Sequence, residues 1–308
     1  MELVVIVMPI FLSIFMGKII HLYLVKSDQA WQEINKIAYW LLFPCFLFSK
    51  ISTLDLNISN LSSYTGALLV GFFGALLSAY LLSKISSINT AALTSVLQGA
   101  GRHNTFIGLA ISVQLFGSIG ASIGIIATAT LVPISNLVLV TLMVILVKKN
   151  SKNNQIAIII EIFRNPIIVA ILLGFLVNFL GLSGDPIFYE LTHILGLASL
   201  PIILLCVGAN IKISGLSQHS KPVLISVFTK MIVFPLLTFW ICLLFELSQQ
   251  MTIIAVIFAA CPTSPSSFPL AKQLGGDASL MSTIISLQTL LSVLSIPLTV
   301  IIATHFYH

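Results

Sequence analysis

Two polar stretches, QGAGRHNT at residues 98–105 and CPTSPSSFP at residues 261–269, each interrupt a long apolar run. A run of about 20 apolar residues crosses a bilayer as a helix, so the reading of these two breaks decides the fold. The first holds two glycines and Arg102. Burying an arginine at the bilayer centre costs about 2.5–3.5 kcal/mol on insertion scales, and a polar cluster at that depth needs a reason. Gly99, Gly101 and Asn104 can open a helix there. The half-helix that follows, from about Phe106, then offers free backbone N–H groups and the positive end of its dipole. Together with Arg102 these make an anion site. The second break has three prolines, Pro262, Pro265 and Pro269, which no continuous helix accommodates. At membrane depth such backbone survives only where it lines a cavity or is buried in protein.

The rest of the chain agrees with a lipid setting. Hydrophobic residues make up 58% of its 308 residues and charged residues 7%, against about 25% charged in soluble domains. The net charge of +5 comes from lysines and arginines scattered singly, apart from Lys148, Lys149 and Lys152. Juxtamembrane placement accounts for them, so the lipid bilayer is the expected partner and nucleic acid is not. Cys45, Cys206, Cys242 and Cys261 lie in apolar stretches without a CxxC pair and read as buried small hydrophobes. No HExxH and no cluster of His and Asp supports an enzyme or a metal site. The opening MELVVIVMPIFLSIFMGKII lacks a cationic start and reads as a first span, not a leader. Ten helical spans are expected, at 3–25, 34–53, 62–83, 91–117, 121–147, 156–180, 187–210, 222–246, 251–274 and 278–304. The runs are too long and too uniformly apolar for barrel strands.

Loop charge orients these spans. The loops after spans 1, 3, 5, 7 and 9 hold Lys26, Lys36, Lys84, Lys148, Lys149, Lys152, Lys212, Lys221 and Lys272. The opposite set holds Lys50 beside Glu2, Asp55, Asp185 and Glu246. The lysine-rich side is cytoplasmic by the positive-inside rule, and both termini are outside. The hydrophilic stretch 148–155 reads as a cytoplasmic linker between a first five-helix repeat at 1–147 and a second at 156–308. Pro9 and Pro166, Gly17 and Gly174, Pro44 and Pro201, and Ala121-Ser122 and Ala278-Ser279 all stand 157 positions apart. The same offset carries Thr105 onto Pro262, so the two breaks are equivalent. Pro133 and Pro297 depart from this register. Five spans per half makes the second half inverted, an architecture common among secondary transporters, whose substrates bind between paired broken helices.

Other polar residues carry less. Asn136 can line the site or bond a neighbouring helix. Lys230 reads as a second anion-facing charge or, slightly better, as a lysine snorkelling to the interface. Gln288 and Thr289 read as helix-packing contacts. His103 is the one central group able to titrate near neutral pH, and more often such a histidine is a hydrogen-bonding wall residue. No carboxylate reads as mid-membrane, which argues against a carboxylate proton relay. Thr263, Ser264 and Ser266, with exposed carbonyls, are the types of ligand that hold Na⁺; Na⁺ and H⁺ are both open as coupling ions, and no other cofactor is expected.

In order along the chain, INKIAYWLLFPCFLF (34–48), GRHNTFIGLA (101–110) with Leu115-Phe116-Gly117, PISN (133–136), RNPIIVAILLG (164–174), Pro201 with Gly208-Ala209, Lys230 with Pro235, and the proline-rich ninth span resemble the auxin efflux carrier family. That family holds bacterial malonate and malate permease-like proteins and relatives of plant auxin carriers. The resemblance implies ten helices in two inverted repeats, with broken helices 4 and 9 crossing in a transport bundle beside a scaffold bundle. It implies a homodimer in the cell's inner (plasma) membrane and elevator-like secondary transport of small organic anions, dicarboxylates among them. A sodium-coupled symporter of sterol-like or other amphipathic anions is the alternative. The substrate-binding residues expected are Arg102, His103, Asn104, Thr105, Asn136, Lys230, Pro262, Thr263, Ser264 and Ser266. Plant members often have proline in the helix-4 break, where this chain has Thr105, and carry a long central loop that this chain lacks, so auxin itself is a poor fit.

Overall fold

A computed structural model of the chain describes residues 2–54, 60–147, 165–182, 186–211 and 219–307, all of them helix, turn or connection. Linker 148–155, Glu161 in the sixth expected span, and loop residues Asp55, Asp185 and Lys212 lie outside the described residues. The helices are α1 (Glu2–Tyr23), α2 (Asp28–Ile37), α3 (Phe43–Ile51), α4 (Leu61–Ile85), α5 (Thr90–Gly101), α6 (Thr105–Val147), α7 (Pro166–Phe179), α8 (Pro186–Ala209), α9 (Ser220–Phe228), α10 (Phe234–Leu244), α11 (Gln249–Ala260), α12 (Ser267–Leu274) and α13 (Ala278–His305). π-helical turns at Ala38–Leu42 and Thr229–Val233 join α2 to α3 and α9 to α10. Each precedes a proline, Pro44 or Pro235. A proline ring clashes with the carbonyl four residues back, at Trp40 or Met231, and a wider turn relieves the clash without ending the helix.

Seven helical stretches among the described residues are long and apolar enough to cross a membrane, and two shorter apolar helices, Pro166–Phe179 and Gln249–Ala260, accompany them. Seven differs from the ten expected because Thr90–Val147 runs as one stretch of 58 residues and because the two shorter helices fall below a full span. At 1.5 Å per residue a straight helix of that length would far exceed the roughly 30 Å hydrocarbon core. It does not run straight. Gly117 adopts φ 57°, ψ −130°, which a glycine reaches without strain. Beyond it Gly120 lies against the Ser112 carbonyl and Gly124 against Leu109. The two arms are therefore antiparallel. The sixth expected span also differs: its described helix begins at Pro166, with the Asn165 side chain accepting a hydrogen bond from the Ile167 N–H at 3.0 Å. Proline favours the first helical position because its missing N–H has no partner there. Large apolar side chains such as Phe179 (85% exposed), Leu294 (74%) and Trp240 (60%) cover the outer surface, a skin suited to lipid and not to water.

The helices pack most densely within two groups. One contains α1, α2, α3, α7 and α8; the other contains α4, α5, α6 and α9–α13. In the first group, α1 and α8 touch backbone to backbone. A Cβ on Gly17 would meet the Leu205 carbonyl oxygen at 2.0 Å, and one on Gly208 would meet the Ile14 carbonyl oxygen at 1.7 Å. Gly208→Val should force the pair apart and cost about 3 kcal/mol or more. Thermal unfolding in detergent reads this directly, and a Tm equal to that of the parent would refute the close packing.

Several contacts repeat at, or within three residues of, the 157-residue offset found in the sequence. Gly17 faces Leu205, and Gly174 faces Ile51 with the Phe48 carbonyl oxygen nearby. The Lys18 ammonium donates to the Ile211 carbonyl at 2.7 Å, and the Asn178 amide donates to the Leu54 carbonyl at 2.9 Å. In each case a side chain from one helix satisfies an orphan carbonyl just past the end of another. Helices α5 and α11 both have 12 residues, and a side chain caps each, Asn89 to the Ala92 N–H and Ser248 to the Met251 N–H. Gly117 and Gly275, both at positive φ, follow the second half-helices.

Candidate functional site

The first half-helix of each pair, α5 and α11, stops at a break. Arg102 is extended (φ −74°, ψ 147°), and so is Cys261 (φ −57°, ψ 139°). The breaks touch: the Asn104 N–H donates to the Pro262 carbonyl at 2.7 Å. Thr263 Oγ1 lies 2.8 Å from the Gly99 carbonyl and 2.7 Å from Gln288 Oε1, and its single proton can serve one of them at a time. Gln288 on α13 ties three elements together. Its Oε1 accepts from the Thr263 N–H at 2.8 Å, while its Nε2 donates to the Gly99 carbonyl at 3.0 Å and to Ser226 Oγ on α9 at 3.1 Å. Irregular backbone buried from water must have its polar groups satisfied, and Gln288 does this for both breaks.

Arg102 reaches out of the first break. Its Nη1 donates to Ser266 Oγ in the second break at 3.0 Å, and its Nη2 donates to Asn136 Oδ1. Asn136 is held in turn by its amide, which donates to the Val132 carbonyl at 3.0 Å, and Ser266 Oγ lies 2.9 Å from Ser264 Oγ. These side chains line a cavity of about 30 Å³, room for about one water molecule. The cavity gathers Arg102, His103, Thr105, Asn136, Ser264 and Ser266 from the expected set.

Asn104, Pro262, Thr263 and Lys230 are placed outside the cavity lining. Asn104 caps the second half-helix, its Oδ1 accepting from the N–H groups of Phe106 and Ile107 at 3.2 and 3.3 Å. That corrects the expectation of free N–H groups at this end, because the cap takes two of them. Pro262 and Thr263 serve the contact between the breaks. Lys230 does not snorkel. It lies in the π-helical turn, wholly buried, with Nζ 4.6 Å from the centre of the Phe234 ring and without a hydrogen-bond partner among the described residues. Its stem points into the larger group, away from lipid, so the interface is out of reach, and the aromatic face supplies part of the lost solvation. His103 is close enough to Lys230 and Arg102 for their charges to interact, and its ring lies 5.7 Å from that of Phe258.

Three polar residues of the cavity were not expected: Tyr39, Ser135 and Asn165. The Tyr39 hydroxyl donates to Asn165 Oδ1 at 3.3 Å. Both belong to the smaller helix group, so the cavity lies on the boundary between the two groups. Two local signals bear on them. Tyr39 lies five residues before Pro44, where a π-helical turn is favoured, and Asn165-Pro166 is a helix-start dipeptide within an apolar run.

The family model described as membrane transport protein matches residues 3–300. The chain belongs to this family, that of the auxin efflux carriers. No curated protein matches the sequence. The apolar helices and the family together make the chain a membrane-embedded transporter.

Proposed function

We propose that the chain is a secondary active transporter that moves small organic anions by elevator-type alternating access, with Arg102 as the anion-holding group. The observation that carries this reading is Arg102 itself. It projects from one break, contacts the other, and faces a cavity on the boundary between two helix groups. A cavity of about 30 Å³ is smaller than malonate or malate, so the walls must part to admit one; sliding of one group along the other would do so. Ten spans follow when the hairpin at Gly117 is counted as two and the short helices α7 and α11–α12 as one each. The contacts that recur near the 157-residue offset support two inverted five-helix repeats, 1–147 and 156–308 on either side of the linker 148–155, with the breaks crossing. Helix ends also pair as the loop charges sort them. Lys18 meets Ile211, Gly275 meets Val147, and the Asp277 N–H donates to the Ala91 carbonyl, all on the lysine-rich side. Asn178 meets Leu54, and Thr252 meets Tyr307, both on the other. This supports a cytoplasmic lysine-rich side and both termini outside; the plasma membrane and a homodimer are what the family resemblance implies.

Sodium coupling through Thr263, Ser264 and Ser266 is the weaker reading. The guanidinium already takes Ser266 Oγ, and a second cation beside it would be repelled. Proteoliposomes decide both points. Uptake of labelled malonate, malate or another small organic acid should saturate, and replacing Na⁺ by choline should leave it unchanged. Uptake that rises linearly without limit would overturn the carrier reading, and a strict Na⁺ requirement would restore the symporter.

A further inference from the structure

The charge inventory of the cavity bears on which anions it admits. Among the described residues lining it, Arg102 is the one that is permanently charged; the polar remainder consists of the neutral side chains of Thr105, Ser135, Asn136, Asn165, Ser264, Ser266 and Tyr39, besides His103. A dicarboxylate needs a second fixed cation, and Lys230 was the residue expected to supply one. It is packed on the Phe234 ring instead and does not line the cavity. The wall contributed by the smaller helix group carries a hydroxyl and an amide, Tyr39 and Asn165, 3.3 Å apart. A tyrosine hydroxyl can donate one hydrogen bond and accept others, and an asparagine amide both donates and accepts. Such a pair suits a neutral polar group that does both, such as a carboxamide or an alcohol. Against a second carboxylate it would leave a buried charge without a counter-charge.

We propose that the site selects a small organic monoanion with a neutral hydrogen-bonding group at its other end over a dianion of the same size. Arg102 takes the carboxylate, and Tyr39 and Asn165 take the neutral end. This rests on the transporter reading above and narrows its substrate class. A dicarboxylate would then enter as its singly protonated form.

The test compares near-isosteric pairs at pH 8, where the diacids are fully ionised: malonamate against malonate, and succinamate against succinate. Labelled uptake into proteoliposomes holding the full chain is measured at equal concentrations. For at least one pair the half-amide should enter about tenfold faster or better, and Arg102→Ala should abolish that uptake. Tyr39→Phe keeps the ring and should lower the preference, whereas Asn165→Lys adds a second cation and should shift it toward the dianion. Equal or faster uptake of the dianion by the parent protein overturns the proposal while leaving an Arg102-dependent carrier in place. Uptake of no pair member above the Arg102→Ala background also overturns it. The carrier reading then stands or falls separately, on the wider screen of organic acids.

Discussion

Arg102→Ala is expected to lower organic-anion transport by about 100-fold or more in kcat/KM while the protein remains folded. A guanidinium holds a carboxylate through two charge-assisted hydrogen bonds, each worth about 1.5–3 kcal/mol, and 100-fold corresponds to about 3 kcal/mol. Folding should survive because the partners that lose Arg102 keep others: Asn136 retains the Val132 carbonyl and Ser266 retains Ser264. Arg102→Lys keeps the charge without the planar fork, so partial activity is expected. Asn136→Asp gives an independent check. It sets a carboxylate against the guanidinium where Asn136 Oδ1 now accepts from it. That built-in anion should compete with substrate and abolish transport with no loss of thermal stability. Transport by Arg102→Ala at the parent rate would end the assignment of this site.

Gln288→Leu is expected to be the most damaging of the near-isosteric changes at the breaks. Gln288 is wholly buried, and its loss takes a partner from the Thr263 N–H, the Gly99 carbonyl and Ser226. A buried polar group left without its bond costs about 1–3 kcal/mol, and Thr263 Oγ1 can still serve Gly99. A total near 3 kcal/mol follows, or a fall in Tm of roughly 5–10 °C. Transport should fall too, because the two breaks lose their common brace. The neighbouring Thr289 is the control. Among the described residues its hydroxyl bonds only its own helix, at the Ile285 carbonyl, and Thr289→Val should cost about 1 kcal/mol or less. Equal stability of the two variants would refute the bracing role of Gln288.

Residues whose chemistry is local were legible in the sequence. Three prolines in eight residues end a helix wherever they are placed, and an arginine between glycines inside an apolar run marks a break whatever surrounds it. The half-helix that follows the first break was legible in the same stretch. What Asn104 does was harder to anticipate. An asparagine at a helix start can leave the N–H groups to a ligand or cap them itself, and side-chain geometry makes that choice. Lys230 was read by the common behaviour of lysines near lipid, and the π-helical turn ahead of Pro235 turned it inward instead. Gln288 could not be told from an ordinary helix-packing glutamine, because its partners lie 25, 62 and 189 positions away along the chain.

By itself the sequence determined that this protein lives in lipid, where its two helices break, and which cation stands at the first break. Those features depend on composition and on backbone chemistry within a few residues. The tertiary structure alone decided that the breaks touch, that Arg102 bonds across from one to the other, and that Tyr39 and Asn165 complete the cavity. In hydrocarbon the bilayer solvates no polar group, so each must find its partner by packing. The pairings are therefore settled where helices distant in sequence come together.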